Sequence, residues 1–163
     1  MNITKQKGLI TELHCQLAFS NLGFTVCAPI CEDSRYDFIV DINGKLIRIQ
    51  CKTCSLLENQ NGIKFSTRSC RSNTQTNLQR EYTKEEIDYF YTYYNGKSYL
   101  VKVEETSSEK TLRFSNPNKI SNINLAEDYE LEKVLKKDFN CNFQYNQINI
   151  INRKKYICPK CGA

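Results

Sequence analysis

The stretch RYDFIVDINGKLIRIQCK, residues 35–52, decides the fold. At its centre stands Asn43-Gly44, the strongest short-range signal for a two-residue hairpin turn. Counting outward from the turn sets the register. Ile42 faces Lys45, Val40 faces Ile47, Phe38 faces Ile49, and Asp37 falls opposite Gln50. Side chains alternate across a strand, so Phe38, Val40, Ile47, Ile49 and Cys51 share a core face. Asp37, Arg48, Gln50 and Lys52 share the other. A carboxylate, an amide and an amine are therefore expected together at one end of one hairpin, a grouping suited to a metal ion and a phosphate.

Working outward, the 163-residue chain reads as one domain with a short appendage. Its apolar content of 40% is enough for a modest core, with 10 Tyr and 8 Phe supplying much of the bulk. A net charge of +5 favours anionic partners. No apolar run approaches the roughly 18 residues of a membrane span, so no membrane partner is expected. The first 20 residues read as an amphipathic helix and lack the apolar segment of a secretory signal. The nine cysteines are an odd count spread through apparent helices and strands. Free thiols in a reducing, cytoplasmic setting are expected.

Residues 4–22 predict a helix with Ile10, Leu13, Leu17 and Ala18 as its apolar stripe and Gly23 as its stop. Glu12 lies beside that stripe, either as an exposed acid or as an acid at the rim of a site. The only histidine, His14, is given no role. Phe24–Ala28 predicts a short strand ended by Pro29, and residues 31–34 a polar turn. Residues 55–62 predict a loop and residues 63–66 a strand. Residues 66–84, STRSCRSNTQTNLQREYTK, show no apolar period and predict a long loop. It is either a solvated surface or a DNA contact made through Arg68, Arg71 and Arg80, since such side chains reach phosphates and base edges.

A second Asn-Gly, at residues 95–96, predicts another hairpin. Phe90, Tyr99, Val101 and Val103 fall on one face, and Tyr89, Tyr91 and Tyr93 on the other with Leu100 and Lys102. The tyrosine row is read as a half-buried sheet face against a helix, in preference to a surface for stacking on bases. Thr111–Phe114 predicts an edge strand and residues 126–138 a helix, acidic early and basic late as the helix dipole prefers.

Cleaving a phosphodiester needs an attacking water, charge stabilisation on the phosphoryl oxygens and stabilisation of the leaving oxygen. Bound Mg²⁺ serves the first two needs and takes carboxylate, carbonyl and water ligands. Asp37 offers a direct carboxylate ligand. Gln50 offers an amide oxygen or orients a water, and the backbone carbonyl of Cys51 lies between Gln50 and Lys52 in the chain. The Lys52 amine reaches the scissile phosphate or helps activate water. Glu12 adds a second acid through water.

Glu12 in an N-terminal helix, Asp37 opening one strand and Gln50-x-Lys52 closing the next resemble the PD-(D/E)xK nuclease core. The runs KGLITE, GFTVCAPICEDSRYDFIVD, GKLIRIQCK, EEIDYF and SYLVKVEE are similar to the intron-encoded homing endonuclease branch of that superfamily. The likeness spans residues 5–105. Gln50 stands where the superfamily usually carries Glu or Asp, a change this branch tolerates. The resemblance implies an α/β, restriction-endonuclease-like core with a mixed sheet and flanking helices. It implies cleavage of double-stranded DNA with Mg²⁺, for which Mn²⁺ can substitute, by a dimer or tetramer. By matching position, Asp37, Gln50 and Lys52 would be catalytic with Glu12 supporting.

The nuclease domain is placed at residues 5–138. Residues 139–163 form a basic extension ending in Cys158-x-x-Cys161, half a zinc knuckle. A structural Zn²⁺ needs four ligands, and the nearest further cysteine is Cys141. A site shared between subunits, a truncated ribbon and a plain tail remain as readings, with the latter two preferred. Two other functions stand beside the sequence-specific endonuclease. One is a junction resolvase or repair nuclease reading DNA shape. The other is an inactive DNA-binding module on the same scaffold.

Overall fold

The computed structural model describes residues 2–31, 33–73 and 76–143, with the backbone alone over 70–73 and 76–78. Helix α1 (Ile3–Asn21) opens the chain, capped where the Asn2 side chain accepts from the Thr4 N–H. Strand β1 (Thr25–Cys27) follows, and then the hairpin of β2 (Phe38–Ile42) and β3 (Lys45–Cys51). Its turn has positive φ at both Asn43 (55°) and Gly44 (87°). That conformation matches the right-handed twist of the strands it joins. The register is the expected one, with Ile42 opposite Lys45, Val40 opposite Ile47 and Phe38 opposite Ile49.

The second Asn-Gly turn joins β8 (Tyr89–Tyr94) to β9 (Lys97–Lys102), with Tyr94 opposite Lys97 and Phe90 opposite Val101. The five strands form one mixed sheet, ordered β1-β2-β3-β8-β9, in which only β3 and β8 run parallel. A parallel pair needs a long crossover. Here it carries strands β4 (Ser55–Leu56) and β5 (Gly62–Ser66), then β6 (Arg68–Asn73) and β7 (Thr76–Glu81). Strand β10 (Glu109–Arg113) pairs with β5 to give a second sheet, β10-β5-β4, with β10 at its edge as expected.

Both faces of the main sheet are covered. Helices α1 and α2 (Leu131–Phe139) close one face over Phe38, Val40, Ile47, Ile49, Tyr91 and Leu100. The second sheet closes the other, packing Ile63, Phe65 and Leu112 onto Phe90, Tyr99 and Val101. The tyrosine row therefore faces the helices, as read: Tyr89 and Tyr91 are buried, and Tyr93 packs against the same core. Their hydroxyls are satisfied within the fold, Tyr91 with Ser98 Oγ at 2.7 Å and Tyr89 donating to Asp138 of α2 at 2.9 Å.

Three expectations need correction. First, α1 is turned about its axis relative to the expected stripe. It buries Thr11, Cys15 and Phe19, whereas Ile10, Leu13 and Leu17 are 44%, 54% and 55% exposed. A threonine can sit on the buried face because its hydroxyl donates to the Lys7 carbonyl one turn back. Second, residues 66–84 are not a loop. Strands β6 and β7 form a separate two-stranded ribbon, paired from Arg68–Glu81 to Asn73–Thr76. A ribbon standing apart from both sheets has no face that must be apolar, so the alternation that marks a strand is missing. Third, the helix expected over 126–138 is a 3-10 turn (Ala126–Tyr129) followed by α2. Glu130 between them is extended and bridges to Tyr99 of β9, which docks α2 on the sheet.

Candidate active site

The hairpin register brings Asp37 and Gln50 together. The Asp37 N–H donates to the Ile49 carbonyl at 2.8 Å, just beyond the last β2–β3 pair, Phe38–Ile49. The Asp37 carboxylate then takes two hydrogen bonds on Oδ2, from Gln50 Nε2 at 2.7 Å and from the Cys51 N–H at 2.6 Å. Its other oxygen, Oδ1, is in neither bond. Gln50 Nε2 also donates to the Cys51 carbonyl at 3.3 Å. The amide –NH₂ thus stands between two oxygens, Asp37 Oδ2 and Cys51 O. Where two oxygens converge on a partial positive charge, a hard cation finds the same potential.

Glu12 reaches this place from α1. It is half-buried, and it is close enough for the Asp37 charge to bear on it. Burial raises the Glu12 carboxyl above its usual range, and Asp37 raises it further. Burial also raises Asp37, against the lowering pull of the Cys51 N–H, the Lys52 charge and the Gln50 amide. Among the described residues neither carboxylate forms an ion pair with a basic side chain. Two neighbouring acids raised by burial are a pattern in which functional sites are enriched. Among the described residues no three His, Cys, Asp or Glu side chains gather as metal ligands. The polar groups gathered there are instead the Asp37 and Glu12 carboxylates, the Cys51 carbonyl and the Gln50 amide, whose –NH₂ faces the Asp37 and Cys51 oxygens. Carboxylate and carbonyl oxygens are ligands of hard divalent cations.

Lys52 continues β3 by one residue, its N–H donating to the Tyr91 carbonyl at 2.8 Å. Its amine donates to the Arg68 carbonyl at the base of the ribbon at 2.9 Å and lies 3.5 Å from the Tyr82 hydroxyl. Burial lowers this amine to about 8; the Asp37 charge opposes that shift and the Arg35 charge adds to it.

Arg48, grouped by alternation with Asp37 and Gln50, belongs elsewhere. Its guanidinium grips Asp88 through Nε at 3.1 Å and Nη2 at 3.0 Å, and also donates to the carbonyls of Lys84 and Glu85. It locks the turn before β8 onto β3, which fixes the parallel pairing beneath the site.

Two of the three arginines expected to contact DNA, Arg68 and Arg80, are engaged within the protein. Arg68 crosses the ribbon to Gln79 and Glu81, both at 3.1 Å, and Arg80 pairs with Glu86. The side chain of Arg71 lies outside the described residues, as do Cys158 and Cys161. Cys141 is buried in the helix-side core with its thiol near Asn43 at 3.7 Å, so packing accounts for it. His14 stacks on Tyr93, with ring centroids 3.5 Å apart.

Sequence reasoning missed Arg35, Tyr82 and Glu86. Arg35 donates to Glu86 at 3.1 Å, to Ser69 Oγ at 2.8 Å and to the Glu81 carbonyl at 3.1 Å, and stacks on the Tyr82 ring. Alternation places Arg35 on the side of Asp37, and that was the one available signal. Its partners lie 34 to 51 residues away in sequence, beyond any local pattern.

The profile of a family described as PD-(D/E)XK endonuclease matches residues 2–132. No curated protein matches the chain in sequence. Among solved structures, the chain is similar in fold to a bacterial homing endonuclease, I-Ssp6803I. The two share 21% identity and a TM-score of 0.68, covering 88% of this chain and all of that one.

Proposed function

The chain belongs to the PD-(D/E)XK endonuclease family, and from that membership we propose that it hydrolyses double-stranded DNA with Mg²⁺, at a specific sequence, as a homo-oligomer. The observation that carries this reading is the Asp37 carboxylate tied to Gln50 and the Cys51 backbone, with the Lys52 amine on the next residue of the same strand. Asp37, the Cys51 carbonyl and Gln50 would hold the cation, with Glu12 joining through water. Rotating the Gln50 amide by half a turn replaces its –NH₂ with the Oε1 oxygen beside the other two. The bound cation would polarise the phosphoryl oxygens and lower the pKa of the attacking water. The chain's own part is to fix those oxygens, exclude bulk water with the half-buried wall of α1, and bring the Lys52 ammonium to the scissile phosphate.

Sequence reading would fall to the β6–β7 ribbon. It stands apart from both sheets and carries Arg68, Arg71 and Arg80. A two-stranded ribbon fits the major groove. Assembly with a second copy is supported by the exposed Ile3, Ile10, Leu13 and Leu17 along α1, which nothing among the described residues covers. No helix among the described residues is long and apolar enough to cross a membrane.

The test is cleavage of a randomised duplex library with Mg²⁺ or Mn²⁺, with a four-way junction as competitor. Duplex cutting at one sequence that is lost in Asp37→Asn and falls to a slow residual rate in Lys52→Ala, while binding persists, is the expected result. Preferential cutting of the junction would make the protein a shape-reading nuclease. Binding without cutting under every condition would make it a binding module.

A further inference from the structure

Where the ribbon meets the main sheet, one aromatic ring serves two cations. Tyr82 directly follows β7. Its ring lies 3.9 Å from the Arg35 guanidinium carbon and 4.7 Å from Lys52 Nζ, measured to the centroid. Phe90 of β8 meets the ring edge-on at 5.5 Å and fixes its tilt. Arg35 in turn ties both ribbon strands at their base, through Ser69 of β6 and the Glu81 carbonyl of β7. Two like charges so near one another repel. They stay together because the ring presents its negative face and because oxygens surround them: the Arg68 carbonyl and the Tyr82 hydroxyl for Lys52, and the Glu86 carboxylate for Arg35.

This inference rests on the endonuclease reading and deepens it. We propose that Tyr82 and Arg35 are positioning residues for phosphodiester cleavage: their contacts hold the Lys52 amine at the base of the ribbon and link the ribbon's placement to that of the amine. Lys52 has four rotatable bonds and no other described side chain as a hydrogen-bond partner. Without the ring its amine samples many positions, and only one of them meets a phosphate held against Asp37. With the ring, its position follows that of β6, because its acceptor is the Arg68 carbonyl. A duplex that seats on the ribbon therefore acts on the lysine through the backbone, with no contact to Tyr82 required.

The experiment is single-turnover cleavage by the full chain of the duplex selected from the library. It compares wild type, Tyr82→Phe, Tyr82→Leu, Arg35→Gln and each change combined with Lys52→Ala. Tyr82→Leu should lower the rate at saturating protein on the order of 10- to 100-fold, the cost of misplacing a reacting group by about an ångström. The half-saturating protein concentration should not move. Tyr82→Phe keeps the ring and gives up only the hydroxyl at 3.5 Å, so it should stay within about threefold of wild type. In the Lys52→Ala background, Tyr82→Leu and Arg35→Gln should add nothing, because there is no amine left to place. Tyr82→Leu cutting at the wild-type rate, or lowering the rate equally with and without Lys52, overturns the positioning role and leaves the nuclease reading intact. A wild-type protein that cuts no duplex overturns both.

Discussion

Replacing Lys52 by methionine should make the protein more stable while it removes activity. The amine is largely buried, and burial lowers it to about 8 from the usual 10.5. At pH 7 it is still mostly charged, so the fold carries the cost of keeping that charge out of water. The gap between about 8 and 10.5 corresponds to roughly 3 kcal/mol, at about 1.4 kcal/mol per pH unit. Methionine has similar length and no charge to desolvate. It gives up the hydrogen bond to the Arg68 carbonyl, worth about 1 kcal/mol net. The expected result is a gain of about 2 kcal/mol, or a Tm higher by about 4–8 °C for a chain of this size. The assay is urea unfolding followed by far-UV circular dichroism, without divalent cations, at several pH values.

The pH dependence gives the signature. Because the folded-state value lies below the unfolded one, the native protein sheds this proton first. Between about 8 and 10.5 the unfolded chain binds more protons, so wild-type stability rises with pH in that window. Lys52→Met lacks this contribution, and it also removes the charge that pulls the Asp37 carboxyl down. The advantage of Lys52→Met should therefore be full at pH 7 and shrink toward pH 10. A variant less stable than wild type at pH 7, or a difference that stays constant across the window, would refute the reasoning.

Phe19→Ala should cost about 3–5 kcal/mol of unfolding free energy in urea, because that ring is fully buried under the sheet. Ile10→Ser should leave unfolding within about 0.5 kcal/mol and weaken self-association instead, as read by sedimentation velocity. Gly62→Ala should destabilise by about 2 kcal/mol: at φ 152° an added Cβ would lie 2.5 Å from the Leu112 carbonyl of the neighbouring strand, so β5 and β10 must separate. Asp88→Ala should cost about 1–2 kcal/mol in the same assay by leaving Arg48 Nε and the Arg48 N–H without their acceptor. Burial works to raise Asp88, but the Arg48 contacts outweigh it and hold the carboxyl below its usual 3.8. Its stabilisation is therefore complete above that value and lost as pH falls through the folded-state value, and the wild-type advantage should disappear in that acid range.

What the sequence determined by itself was local. Each Asn-Gly pair sets a turn whose conformation depends on two residues, and strand alternation then propagates that choice outward. Asp37 was thereby opposite Gln50, Phe90 opposite Val101, and the tyrosine row on one face, before any long-range contact was known. Tertiary structure decided what lay beyond the reach of a period. Alpha-1 offered apolar residues on two faces, and the sheet, through its fit to Cys15 and Phe19, selected the less hydrophobic-looking one. That choice set where Glu12 meets Asp37. The ribbon of β6 and β7 pairs only with itself, and its sequence carries no apolar period that would announce it. Arg35, Tyr82 and Lys52 come from three separate elements, and their meeting depends on how the crossover between β3 and β8 folds back over the sheet. The hairpin that carries Asp37, Gln50 and Lys52 is a matter of counting along one strand pair. The groups that hold its lysine are a matter of where distant backbone segments pack.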